Sequence, residues 1–244
     1  MIADWLLWTL SRLIVLPVLY IYPLRMRRFG VEHLPRTGPV LIVCNHVSVA
    51  DPIILMAAAR KRRTSMVAKR ELFQKHPVFG WLLRTYRAIP LDRAKPADFA
   101  AIRRACALLD QGEAVVVFPE GHVSRRGTMR RGAPGAGFFG LRPGVTVVPA
   151  VIWDTQLFRG PARVRFGPPV DLSDIAAPSR HERNRLATDR IMTVLAELLP
   201  GVGGPVQDPP VGPQRPIDRT RGIWFPPPGH DQDADAEPEA VAAG

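Results

Sequence analysis

Residues 40–52 read VLIVCNHVSVADP, and this stretch decides the fold. Its first five residues are an unbroken apolar run with a β-branched bias, closed by Asn45, the pattern of a strand buried on both faces. The connection after Asn45 is short, and Pro52 suits the first position of a helix. A buried strand that runs through a brief loop into a helix is the unit from which parallel α/β sheets are made.

Working outward, similar runs recur. AVVVFP (114–119) and VTVVPAVI (145–152) are strong strand patterns, SMVA (65–68) is a weaker one, and ARVRF (162–166) alternates as an edge strand does. Between them, 52–60, 71–86, 97–110 and 133–141 read as helices. Residues 179–199 form an amphipathic helix with Ser179 as its cap. The expected fold is therefore α/β, with a largely parallel central sheet flanked by helices over residues 31–200.

Both ends differ from this body. Residues 5–24, WLLWTLSRLIVLPVLYIYPL, are nearly long enough to cross a bilayer, but Arg12 and Pro17 interrupt them, and Arg25, Arg27 and Arg28 lie just beyond. Trp5, Trp8, Tyr20 and Tyr22 favour a headgroup layer. Residues 1–30 are thus expected to be a membrane-associated helical segment, a monotopic anchor on the cytoplasmic face of the cell membrane. A transmembrane span is the second reading and a core helix the third. Residues 201–244 hold nine prolines, few aliphatic residues and an acidic end, which reads as a disordered tail.

The net charge of +11 conceals a split: the tail carries three Arg against seven Asp and Glu, leaving the first 200 residues at +15. A body this basic seeks a polyanion, whether anionic lipid, phosphorylated substrate or nucleic acid. The cluster Arg60, Lys61, Arg62, Arg63 has no interleaved aromatics and no nucleic-acid-binding module around it, which favours lipid or substrate phosphate. Cys44 and Cys106 sit in apolar stretches without metal-ligand spacing, and the histidines form no ligand set, so neither a disulfide nor a metal is expected. Gly135 to Gly140 fits a dinucleotide fingerprint in letters only. No strand precedes it and no acidic residue stands at the right distance beyond it, so packed small residues explain it better.

Two strand ends carry candidate chemistry, and strand ends are where open α/β sheets place ligands. After the first come His46 and Asp51. Locally, Asp51 reads as a helix N-cap and His46 as an ordinary loop histidine. A turn that folded them together would instead give a general base: imidazole takes a hydroxyl proton near neutrality, and a carboxylate on its other nitrogen fixes the tautomer. Neither a Gly-x-Ser-x-Gly elbow nor an activated Cys accompanies them, which suits direct attack by an acceptor hydroxyl. The second strand end, Phe118-Pro119-Glu120-Gly121, opens a loop with Arg125, Arg126, Arg130 and Arg131, a composition able to hold a phosphate. Arg93, after Ile89-Pro90-Leu91-Asp92, is a further candidate for the same anion.

These blocks stand in a telling order: Asn-His, four residues, Asp; Ala-Ile-Pro-Leu-Asp-Arg at 88–93; Phe-Pro-Glu-Gly at 118–121; Val-Val-Pro-Ala at 147–150. Over residues 35–170 the chain resembles the glycerophospholipid acyltransferase family. The resemblance implies His46 as base with Asp51 as partner, and acyl-CoA or acyl-carrier protein as co-substrate, with no other cofactor. It implies that Arg93, Glu120 and Gly121 lie at the acceptor's glycerol-phosphate site, and that Pro149 shapes the active-site wall. The implied reaction acylates a lysophospholipid such as 1-acylglycerol-3-phosphate, giving phosphatidic acid. Two positions depart from the family pattern. Arg87 stands where the second block opens with Gly, and Gly121-His122-Val123-Ser124 stands where the third reads Gly-Thr-Arg-Ser. Arg125 or Arg126 is a substitute for the missing phosphate ligand, and another lysolipid or a lipid alcohol remains an alternative acceptor. The rivals from another class are a non-catalytic lipid-binding or nucleic-acid-binding protein.

Overall fold

The computed structural model describes residues 26–59, 62–75, 77–92, 98–124, 127–155 and 161–211. The expected membrane segment over 5–24 and the acidic end of the tail lie outside these residues. In chain order the elements are β1 (Arg27–Phe29), β2 (Val40–Cys44), α1 (Asp51–Ala58), β3 (Thr64–Lys69), α2 (Leu72–Lys75), α3 (Pro77–Thr85) and β4 (Ile89–Leu91). They continue with α4 (Phe99–Asp110), β5 (Ala114–Val117), α5 (Gly135–Gly140), β6 (Thr146–Trp153), β7 (Arg163–Phe166) and α6 (Arg180–Leu198). The strands form one sheet in the order β1-β7-β6-β2-β5-β3-β4, parallel at every junction except β6 with β7.

The strand expected first, β2, lies at the centre of this sheet and is buried along its whole length. Its side chains alternate between two cores, as a strand covered on both faces requires. Leu41 and Val43 pack with Val115, Val117, Val147 and Val151 under α4, α5 and α6. Val40, Ile42 and Cys44 pack with Val116, Val148 and Ile152 under α1 and Leu83 of α3. Ser179 caps α6 as expected, accepting from Glu182 N at 3.1 Å.

Several expectations are corrected. The ARVRF segment is not an edge strand: β7 sits one place in, because Arg27–Phe29 pairs outside it, Arg27 against Arg163. Arg27–Phe29, counted in the expected anchor over 1–30, belongs to the sheet. The helix expected over 71–86 is two helices, α2 and α3, divided before Pro77, whose ring and missing N–H end a preceding helix. At the other end, packing runs on past residue 201. Val202 is buried, and Gln207 Oε1 accepts from Met129 N at 2.9 Å, so these residues, counted in the expected tail from 201, pack on the body.

The glycine-rich segment at 135–140 is a packed helix, α5. A Cβ at Gly137 would lie 2.0 Å from the carbonyl oxygen of Asn184 in α6, so the two helices touch through backbone. Gly137→Ala is expected to force them apart and destabilise the fold by about 1–3 kcal/mol, the usual range for overpacking. A thermal melt beside wild type checks this, and an unchanged midpoint would refute the close approach.

Candidate active site

The loop after β2 is fastened to the sheet before it departs. Asn45, wholly buried, donates from Nδ2 to Ile152 O at 3.1 Å and accepts at Oδ1 from Ile152 N at 2.8 Å. Its amide thus acts as a further rung between β2 and β6. Next comes a tight turn in which Asp51 N donates to Ser48 O at 3.1 Å. Asp51 is the first residue of α1 and not its cap; the cap position belongs to Ala50. Its carboxylate points back into the turn, where Oδ2 accepts from Val47 N at 2.6 Å and Ser48 N at 2.8 Å.

That same oxygen lies 2.9 Å from His46 Nδ1. An oxygen that already accepts from two backbone amides is an acceptor here too, so Nδ1 carries the proton and Nε2 keeps its lone pair. Asp51 is wholly buried and the His46 side chain is 15% exposed, so the ring is oriented from within yet reachable at its outer edge. Phe118 stacks on it with ring centroids 4.4 Å apart and planes 28° from parallel. Asp51 Oδ1 accepts a further hydrogen bond, from the Thr155 hydroxyl.

The second strand end holds the backbone of the same histidine. Gly121, at φ 74°, takes the left-handed conformation that closes the Phe118–Gly121 turn, where its N–H meets Phe118 O at 3.1 Å. The turn directs Glu120 inward. Glu120 Oε1 accepts from His46 N at 3.0 Å, and Oε2 accepts from Ser124 Oγ at 2.6 Å and Arg130 N at 3.0 Å. Ser124 N in turn donates to His46 O at 2.6 Å. Glu120 is 3% exposed with both oxygens occupied, and through Oε1 it braces the backbone of His46.

The remaining candidates divide. Arg93, Arg125 and Arg126 lie outside the described residues. Pro149 lies within β6, opposite Val43 and three positions before the level of the His46 loop. A Cβ on Gly167 would lie 3.0 Å from Pro149 Cγ and 2.5 Å from Leu198 Cδ1, so the ring packs close to Gly167 and α6. Arg87 has φ 54°, the left-handed region that favours glycine, which accounts for a glycine at that place in the family pattern. Its guanidinium pairs with Glu113. Among the described residues no group of His, Cys, Asp and Glu could hold a metal ion.

Among the described residues no free covalent nucleophile adjoins the dyad. Burial, reinforced by Asp51 and Glu120, pushes the Cys44 thiol well above its ordinary value and keeps it protonated. Ser48 Oγ accepts from Ala50 N at 3.2 Å, and Ser124 Oγ is spent on Glu120. Sequence reasoning passes over Asn45 and Ser124 as bracing residues, although both stand inside the quoted blocks. Thr155, beyond the last block, carries no signal.

Among the described residues, an oriented histidine stands at the end of a largely parallel α/β sheet with no free side-chain nucleophile beside it, an arrangement suited to general-base chemistry on a hydroxyl. The family model described as Acyltransferase matches residues 25–153. The chain belongs to this family and is an acyltransferase. A 1-acyl-sn-glycerol-3-phosphate acyltransferase of Bacillus subtilis (strain 168) is 30% identical over 176 residues, 70% of this chain and 86% of that protein. The alpha form from Homo sapiens is 30% identical over 201 residues, covering 77% and 69%. In fold the chain is similar to the crystal structure of the 1-acyl-sn-glycerophosphate acyltransferase PlsC from Thermotoga maritima. The TM-score is 0.52 at 23% identity, over 72% of this chain and 73% of that one.

Glu120 generates a prediction in two parts. Glu120→Ala strands three buried donors and is expected to cost about 2–4 kcal/mol with a parallel loss of activity. Burial raises the Glu120 carboxyl above its ordinary value, against the lowering effect of its three hydrogen bonds. A carboxyl raised by folding favours the folded state while protonated, so its contribution is lost as pH rises through the raised value. Wild type should lose stability over that window, whereas Glu120→Gln should not. Melting temperatures taken across the weakly acidic range decide it, and identical slopes would contradict the assignment.

Proposed function

We propose that the enzyme transfers a fatty acyl group from acyl-CoA or acyl-carrier protein to the free hydroxyl of 1-acylglycerol-3-phosphate, giving phosphatidic acid. The observation that carries this reading is the His46–Asp51 pair, closed within one turn with Asp51 buried and the His46 side chain partly exposed. The names of the relatives supply the acceptor.

The chemistry rests on the tautomer. His46 Nε2 takes the acceptor hydroxyl proton as that oxygen attacks the thioester carbonyl, and Asp51 stabilises the imidazolium that forms. The tetrahedral intermediate collapses by breaking the carbon–sulfur bond, and the imidazolium returns its proton to the departing thiolate. One ester forms, one thioester is lost and the base is restored. A covalent acyl-enzyme has no place in this sequence, in keeping with a protonated Cys44 and two serines bonded elsewhere.

One observation favours a second acceptor. Val123 stands where the family pattern has its phosphate-binding Arg, so a lysophospholipid with a different headgroup, or a lipid alcohol, competes with 1-acylglycerol-3-phosphate. Purified enzyme with radiolabelled acyl-CoA and a panel of lysophospholipids distinguishes them. Diacyl product is expected fastest from 1-acylglycerol-3-phosphate, and faster product from another lysolipid would move the assignment. In the same assay His46→Ala should fall by at least about 100-fold, the lower range for a lost general base. A variant retaining more than about a tenth of the wild-type rate would remove His46 from that role.

Access to lipid is assigned to the N-terminal segment. No helix among the described residues is long and apolar enough to cross a membrane. The apolar run at 5–24, with Trp5, Trp8, Tyr20 and Tyr22 and the arginines just beyond it, supports a reading of this segment as the attachment to the cytoplasmic face. Deleting residues 1–24 should leave the protein in the supernatant after sedimentation with anionic vesicles. A truncated protein that still pellets would assign lipid binding to the basic body.

A further inference from the structure

Asp51 accepts four hydrogen bonds, and three of them converge on Oδ2 from its own turn: His46 Nδ1, Val47 N and Ser48 N. The fourth reaches Oδ1 from Thr155, which lies 104 residues further along the chain and is itself wholly buried. Two features of the fold bring it there. Asn45 pins Ile152 at the level of the dyad. Beyond Trp153, Asp154 adopts φ 55°, a conformation that non-glycine residues seldom take, with its carboxylate 3.2 Å from Arg163 Nη2. That reversal at the end of β6 delivers the Thr155 hydroxyl to the carboxylate.

A buried hydroxyl needs an acceptor, and a nearby backbone carbonyl would satisfy a threonine whose task was packing. This one donates instead to the second oxygen of the group that orients the base. A carboxylate held at one oxygen can still rotate about its Cβ–Cγ bond. Held at both, its plane is fixed, and with it the position of the oxygen that meets His46. We infer that Thr155 is a positioning residue for acyl transfer, locking the Asp51 carboxylate so that His46 keeps Nε2 aimed at the acceptor hydroxyl. This rests on the reading of His46 as base and Asp51 as its partner.

The test uses the full chain with acyl-CoA and 1-acylglycerol-3-phosphate. Thr155→Val keeps the shape and removes the hydroxyl. It should lower kcat about 10- to 100-fold, as expected for a hydrogen bond to a charged group, while KM for the acceptor changes by less than about threefold. Thr155→Ser, which keeps the hydroxyl, should return kcat to within about threefold of wild type. In an Asp51→Asn background Thr155→Val should add less than about twofold, because the charged carboxylate it positions is gone. A wild-type kcat for Thr155→Val, no recovery with Ser, or the full loss repeated in the Asp51→Asn background would each overturn the inference. Should Thr155→Val not fold, Thr155→Ala against Thr155→Ser makes the same comparison, with equal kcat for the two as the overturning result. His46→Ala is assayed alongside. If it remains active, the base reading fails and this inference with it. If it is inactive while Thr155→Val is unimpaired, only the role of Thr155 falls.

Discussion

Taking a carboxylate out of water costs several kcal/mol unless donors replace the solvent, and the whole active end of this sheet is arranged around meeting that cost for Asp51. Its four partners come from the 46–48 turn and from the end of β6. Removing Asp51 would leave two amide N–H groups, an imidazole and a hydroxyl to find other partners in a buried place. The turn therefore exists because the carboxylate is there, and the histidine is oriented by the same interaction that folds the loop. Stability and catalysis share one group.

Glu120 repeats the device from the other side. It holds the His46 amide while Ser124 N holds the His46 carbonyl, so ring and backbone are restrained by different carboxylates. Each carboxylate draws on a neighbouring parallel strand: Asp51 on β6 through Thr155, Glu120 on β5, just beyond whose end it stands. A central β2 with partners on both sides is what permits this, since its loop meets a strand end to the left and to the right. In a sheet with β2 at the edge, one of the two braces would have nowhere to stand.

The central strands and the order of blocks are legible in sequence because they repeat a strong signal: long β-branched runs with turn residues at their borders. Strands β1 and β4 are not, since three residues show no periodicity and β4 contains Pro90. Without β1, ARVRF reads as an edge. His46 and Asp51 stand out as a pair, but local propensity prefers Asp51 as a cap. What overrides propensity is a turn whose donors all face inward, a tertiary fact that spacing does not carry. The bracing contacts of Glu120 are hidden for a related reason: a carboxylate beside a basic loop suggests a ligand site, and its burial and three internal donors appear only in the fold. Thr155 is out of reach, because its function depends on a reversal at Asp154 that only the folded backbone displays.

The two departures from the family pattern now separate by kind. Arg87 concerns backbone conformation, since its position needs a positive φ and its side chain turns to Glu113, away from the dyad's hydrogen bonds. Val123 concerns chemistry, because an apolar side chain cannot bind phosphate. Yet among the described residues the segment around Val123 meets the dyad and its brace through main chain at three points: Ser124 N to His46, Arg130 N to Glu120, and Ala133 N to Pro119 at 2.8 Å. Ser124 Oγ adds a side-chain bond to Glu120. Because these ties ignore the identity of residue 123, an arginine there can be lost without loosening the base.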